Sequence, residues 1–132
     1  MLIIGEEAFF TKTITEYDVY SFAGITGDFN SVHVNDVYAK QSMFGKRIAH
    51  GMLIGSFIST VLGQRLPGPG TIYLEQNLKF LKPVYIGDTV TAKVKVKEIL
   101  KEEKGIYSLE TRVINQDDII VADGYAIVKY NG

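Results

Sequence analysis

The chain has 132 residues, of which 14 are lysine or arginine and 15 are aspartate or glutamate, so its formal net charge is -1. This near neutrality gives no electrostatic attraction to nucleic acid or to an anionic membrane, and we expect neither as a partner. Cysteine is absent, which excludes disulfides and thiolate metal sites. The length suits one domain, which we expect to span residues 1–132.

The first part of the chain predicts one strand and two short helices. Phe9–Ile14 has the composition of a strand. Thr15 and Asp18 have the spacing of a capping box, which predicts a helix that starts there and ends near Gly27. A further short helix is expected around Asp36–Ser42.

Met52–Leu66 is the longest mainly apolar stretch and predicts a buried central helix. At about 22 Å, such a helix is too short for a hydrocarbon core of roughly 30 Å, so no membrane span is expected. Pro67 and Gly68 should end the helix, because neither favours helical geometry. The apolar start of the chain is too short for a signal peptide, so we expect a cytoplasmic protein.

Four strands are expected in the second half. Thr89–Lys97 alternates apolar and polar residues, which is typical of a half-buried strand. Strands are also expected over Ile72–Phe80, Ile106–Ile114 and Ile119–Tyr130, and four in succession suggest an antiparallel meander. In the first of these, one face is predicted to carry Ile72, Leu74, Gln76, Leu78 and Phe80. The predicted fold class is α+β, with one long helix held against an antiparallel sheet of five or more strands.

Asp28 and His33 lie five residues apart in a segment rich in turn-forming residues. An acid and a base that share one water are the groups needed to add water to an activated double bond or to remove it. A histidine can accept a proton near neutrality because its ordinary pKa is about 6.5. His50 and Gly51 form a second polar signal directly before the apolar helix, where unpaired N–H groups favour an anion.

These residues also have plainer interpretations. Asp28 and Asn30 are ordinary turn or cap residues, and His50 could simply pack against the start of the helix. A metal site formed by Asp28, His33 and His50 is conceivable. The spacing of these three residues matches no common ligand signature, however, so we expect no metal.

Four segments carry a resemblance to a known family: Gly27–His33, Phe44–Leu53, Leu66–Thr71 and Phe80–Val90. In this order they cover almost the whole chain and closely resemble the MaoC-like (R)-specific enoyl-CoA hydratases. The resemblance implies the hot-dog fold, in which a long central helix is wrapped by an antiparallel sheet, and a homodimer with continuous sheets. It also implies an acyl-CoA thioester as substrate and no separate cofactor, because CoA is part of the substrate.

The resemblance further implies roles for single residues. Asp28 and His33 would be the catalytic pair that holds one water, and the N–H of Gly51 would be the oxyanion donor. The expected supporting residues are Asn30, Ser59 and His50. Which of Asp28 and His33 is the acid and which the base stays open, because the two should titrate as a coupled pair.

Three other functions stay open: a dehydratase acting on carrier-protein thioesters, a hot-dog thioesterase, and a non-catalytic acyl-binding module. A thioesterase normally uses a carboxylate on or near the central helix, and Met52–Leu62 contains no aspartate or glutamate. A binding module would not need the pair of Asp28 and His33. The sequence does not determine the preferred acyl chain length.

Overall fold

The computed structural model describes residues 1–132 and contains four α-helices and five β-strands. In chain order these are β1 Glu7–Thr13, α1 Glu16–Thr26, α2 Ser31–Val34, α3 Asp36–Gln41, α4 Gly51–Gln64, β2 Ile72–Phe80, β3 Thr89–Lys101, β4 Ile106–Ile114 and β5 Ile120–Lys129. None of the helices combines the length and the apolar character that crossing a bilayer would require.

The five strands form one antiparallel sheet in the order β1-β3-β4-β5-β2. The predicted meander of four successive strands is therefore wrong for β2, since only β3, β4 and β5 are neighbours in sequence order. After α4 the chain enters the sheet beside β5, where Ile72 pairs with Lys129. Apolar alternation identifies a strand but does not specify its neighbour, which explains the error.

The central helix α4 confirms the prediction, although it begins at Gly51 and ends at Gln64 rather than spanning Met52–Leu66. Its buried side chains are Leu53, Ile54, Phe57, Ile58, Val61 and Leu62. They pack in one core with the inner face of β3, where the predicted alternation buries Val90, Ala92, Val94 and Val96. The α+β, hot-dog arrangement of one helix against a five-stranded sheet is thus confirmed.

Helix α1 begins and ends as predicted. The Thr15 hydroxyl accepts a hydrogen bond from the Asp18 N–H at 3.1 Å, and the Asp18 carboxylate accepts one from the Thr15 N–H at 2.9 Å. Gly27 ends the helix with a left-handed φ of 82°, a conformation that glycine adopts without steric cost. The chain leaves this turn directly into the segment that carries Asp28.

Strand β2 exposes much of the apolar face predicted for it. Three members of the face predicted for this strand, Ile72, Leu74 and Phe80, are each more than half exposed. The cause is the position of β2 at the edge of the sheet, together with a register shift between Tyr73 and Glu75. An apolar strand edge is thereby left uncovered within the single chain.

Candidate active site

Asp28 lies in the turn between α1 and α2, where local hydrogen bonds hold its side chain. Its carboxylate accepts a hydrogen bond from the Asn30 N–H at 3.1 Å, and its own N–H donates to the Thr26 hydroxyl at 3.2 Å. The Asn30 side chain accepts from the Val32 N–H at 3.4 Å and so caps α2. The turn-forming residues noticed in the sequence therefore place an exposed carboxylate at the start of a short helix.

His33 lies on α2, a four-residue helix that the sequence did not predict, and is 8% exposed. Its Nδ1 is 2.8 Å from the carbonyl oxygen of Ile48. Because a carbonyl can only accept, Nδ1 carries the hydrogen, and Nε2 of the neutral ring keeps a free lone pair. This is the tautomer that a general base needs.

His50 precedes α4 directly, and its ring is 2% exposed. Its Nε2 donates to the carbonyl of Asp28 at 2.9 Å. Its ring also stacks on that of His33 with 3.9 Å between centroids and 28° between planes, and the Phe22 ring lies 4.9 Å away. The two histidines, 17 positions apart in the sequence, thus form one packed unit.

Each residue of the segment Arg47–Ala49, which directly precedes His50, is held by a hydrogen bond or an ion pair. Arg47, which is 7% exposed, donates to the Tyr20 hydroxyl at 2.8 Å and forms ion pairs with Glu16 and with Asp36, the latter at 2.6 Å. The Ile48 and Ala49 N–H groups donate to the Val32 and Val84 carbonyls, at 3.2 and 2.7 Å.

The role of Arg47 is not evident from the sequence. The only local signal was a basic residue directly before an apolar pair, and its acidic partners, Glu16 and Asp36, lie far away in the sequence.

A cavity of about 490 Å³ opens beside these groups. Asp28, His33, His50 and Gly51 line its polar end, and most of the remaining wall is apolar. The other lining residues are Phe44, Ile48, Ala49, Met52, Ile54, Phe80, Leu81, Lys82, Pro83, Val84 and Val121. An apolar pocket with a few convergent polar groups is typical of a small-molecule site.

Gly51 is the first residue of α4, so its N–H has no helical carbonyl partner and lies at the positive end of the helix dipole. A Cβ at this position would lie 3.0 Å from the Phe80 ring, so only glycine fits here without moving the cavity wall. The structure therefore brings Asp28, His33, His50 and Gly51 together, as the sequence predicted.

The other two supporting residues do not line this cavity, although the Asn30 N–H donates to the Asp28 carboxylate. Asn30 caps α2 and does not line the cavity. Ser59 lines a second cavity of about 440 Å³ on the side of α4 that faces β2. Met52 lines both cavities.

Burial lowers the pKa of His33, and the nearby His50 lowers it further. The hydrogen bond to Ile48 and the negative charge of Asp28 act in the opposite direction without cancelling the shift. The ring is thus held neutral near pH 7. It can accept a proton when the reaction supplies one.

Asp28, His33 and His50 are also the residues that could hold a metal ion. One ligand atom from each lies within 4.8 Å of the other two. However, the two imidazoles lie face to face, whereas the ligands of a tetrahedral ion converge from different directions. This arrangement of the two imidazoles does not favour metal binding. That the reaction needs no metal ion stays a prediction.

Comparisons with known proteins give a consistent result. A model of the MaoC like domain matches residues 4–118. An (R)-specific enoyl-CoA hydratase from Rhodospirillum rubrum is 48% identical over 128 residues, which are 97% of this chain and 89% of that protein. A 3-hydroxybutyryl-CoA dehydratase from Methylorubrum extorquens is 44% identical over 97% of this chain and 80% of its own length. The solved structure of an (R)-hydratase from Aeromonas caviae superposes with a TM-score of 0.93 at 42% identity, covering 97% of this chain and 96% of that chain.

We expect the His33 ring to titrate below the pKa of about 6.5 that a histidine has in an unfolded chain. Between the folded and the unfolded pKa, the unfolded chain binds more protons, so this residue makes the free energy of unfolding rise with pH. Histidine NMR titration of the folded and the urea-unfolded protein measures both values. A folded-state pKa at or above the unfolded value would contradict the prediction.

Proposed function

Since the chain belongs to the MaoC-like domain family, we propose that it catalyses the (R)-specific hydration of trans-2-enoyl-CoA to (R)-3-hydroxyacyl-CoA and the reverse dehydration. This activity makes it a lyase. The observation that carries the proposal is the approach of the Asp28 carboxylate to the His33 imidazole, within 4.8 Å, at one end of an apolar cavity. One water can hydrogen-bond to both groups across that distance, since each such bond needs about 2.8 Å.

His33 is the base in this proposal. Its Nε2 has a free lone pair because Nδ1–H is committed to the Ile48 carbonyl. The Asp28 carboxylate accepts the other hydrogen of the water and so orients its oxygen toward C3 of the substrate. When His33 becomes an imidazolium, the nearby carboxylate also stabilises its charge.

The remaining steps complete the addition of one water. The water oxygen bonds to C3 while its proton passes to Nε2 of His33, and the electron pair of the C2–C3 double bond moves onto the thioester as an enolate. The N–H of Gly51 at the start of α4 stabilises the enolate oxygen. The proton that the catalytic pair has taken from the water then passes to C2. It arrives on the same face of the double bond as the new C3–O bond, which gives syn addition.

The competing functions receive less support. A thioesterase normally uses a carboxylate on or near the central helix, and Gly51–Gln64 itself contains none, so Asp28 is the carboxylate at its start. A non-catalytic module would not require a neutral histidine opposite a carboxylate in the cavity. A carrier-protein dehydratase would use the same groups, so only substrate comparison separates it from the CoA enzyme.

A cytoplasmic location stays a prediction.

A homodimer is part of the proposal. Strand β2 ends the sheet, and its large apolar side chains Ile72, Leu74 and Phe80 are exposed. An uncovered apolar edge favours pairing with another strand. Antiparallel pairing of β2 with β2 of a second copy would cover these side chains and make the two sheets continuous.

The purified protein should convert crotonyl-CoA to (R)-3-hydroxybutyryl-CoA in the presence of EDTA and without a nucleotide. Chiral chromatography of the hydrolysed product measures the outcome. An (S) product would contradict the assigned geometry. A faster reaction with the matching carrier-protein thioester would favour the carrier-protein dehydratase.

His33→Ala and Asp28→Asn should each lower kcat by at least about 100-fold, the usual effect of losing a general acid or base. Asp117→Asn changes an exposed turn residue outside the cavity and serves as the matched control, with unchanged kcat. Steady-state hydration of crotonyl-CoA measures all three variants. Near-normal turnover of His33→Ala would remove that residue from the mechanism.

Light scattering at micromolar concentration should give twice the mass of the chain. Leu74→Lys places a charge at a half-exposed position of β2, beside the second cavity, and should shift the protein toward monomers. Phe9→Lys makes the same type of change on β1, the opposite edge of the sheet, and should leave the dimer intact. Dissociation by Phe9→Lys but not by Leu74→Lys would place the interface on the other edge.

A further inference from the structure

His50 contacts every part of the proposed catalytic machinery. Its Nε2 donates to the carbonyl of Asp28, its ring stacks on His33, and its own backbone leads directly into Gly51. No other residue of the site joins all three. Its ring is almost fully buried and also packs against the Phe22 ring.

The hydrogen bond to Asp28 places a hydrogen on Nε2 of His50. Because the Asp28 carbonyl can only accept, Nε2 of His50 carries the hydrogen. Its Nδ1 is buried and has no hydrogen-bond partner. The structure therefore gives His50 one defined donor, directed at the backbone of Asp28.

We infer that His50 is a positioning residue for the reaction, because it sets the gap between the Asp28 carboxylate and the His33 imidazole in which the water is held. This inference rests on the proposed function. The hydrogen bond fixes the backbone at Asp28 from one side of the gap. The stacked ring fixes the plane of His33 from the other side.

The two contacts have separate consequences. Without the donor at Nε2, the carbonyl of Asp28 loses its only side-chain partner, and the turn that carries the carboxylate can shift. The aspartate is exposed and has few other constraints, since its remaining bonds are local. A shift of about 1 Å in a reacting group can lower a rate about 100-fold. Binding of the CoA thioester, which uses the rest of the cavity, should change little.

Two variants separate the contacts. His50→Gln keeps an N–H donor near the position of Nε2 and loses the ring, whereas His50→Phe keeps a buried aromatic ring and loses the donor. We expect His50→Phe to lower kcat by about 10- to 100-fold with KM changed less than about threefold. His50→Gln should recover part of that loss, since it restores the donor to the Asp28 carbonyl but not the ring stacked on His33. Val61→Ala, a buried change on α4 outside the cavity, should lower the unfolding temperature while kcat stays at the wild-type value.

The measurement is steady-state hydration of crotonyl-CoA, with the unfolding temperature of each variant determined in parallel. A His50→Phe variant with full kcat would overturn the inference, and so would a His50→Gln variant impaired as strongly as His50→Phe. If the unaltered protein does not hydrate crotonyl-CoA, the proposed function fails. If it does and His50→Phe keeps full kcat, only the inference fails.

A spectroscopic measurement tests the contacts without relying on turnover. The chain has only two histidines, so histidine-selective ¹⁵N NMR resolves both rings. We expect at pH 7 a hydrogen on Nε2 of His50 and a neutral His33 with its hydrogen on Nδ1. In His50→Ala, loss of the stacked ring should shift the ¹⁵N resonances of His33, while the Ile48 carbonyl keeps the hydrogen on Nδ1. A His50 ring without a hydrogen on Nε2, or an unchanged His33 spectrum in His50→Ala, would overturn the inference.

Discussion

The hydrogen bond from His33 to the carbonyl of Ile48 is the constraint on which the candidate site depends. It selects one tautomer and leaves a lone pair on the other nitrogen of a ring that lies close to the Asp28 carboxylate. The Ile48 carbonyl can do this because its backbone is held by the Val32 carbonyl on one side and pairs with Tyr85 on the other. A histidine exposed to water would exchange between tautomers and charge states. The fold therefore holds the His33 ring in one defined tautomer.

The buried Arg47 extends this constraint to the rest of the helical layer. Its ion pairs and hydrogen bond join α1 and α3 to the segment before α4. A buried guanidinium left without partners would cost several kcal/mol. The contacts with Glu16, Asp36 and Tyr20 therefore stabilise the buried Arg47 side chain. The result is one block in which the turn with Asp28, the short helix with His33 and the start of α4 keep fixed relative positions.

Much of this arrangement follows from the sequence. The motif containing Asp28 and His33 and the step from His50 into Gly51 were sufficient to identify four residues that line one cavity. The alternation in β3 and the apolar content of α4 identified the core, because burial of that kind is encoded locally.

Features that depend on distant partners were not predicted. The neighbour of β2, the burial of Arg47 and the stacking of the two histidines each join segments well separated along the chain. Helix α2 is four residues long, which is too short for any periodicity to show. Ser59 was assigned to the site by resemblance, and the structure places it on another cavity.

The cavity is built from two separate parts of the chain, and this has a consequence for how the protein can change. Its polar end comes from residues 28–51, whereas an apolar wall comes from residues 80–84 and Val121. Substitutions in that wall can reshape the space for an acyl tail without moving any reacting group. Substitutions can therefore change the preferred acyl chain without changing the reaction. Relatives that catalyse the same reaction can differ in the acyl chain that they accept.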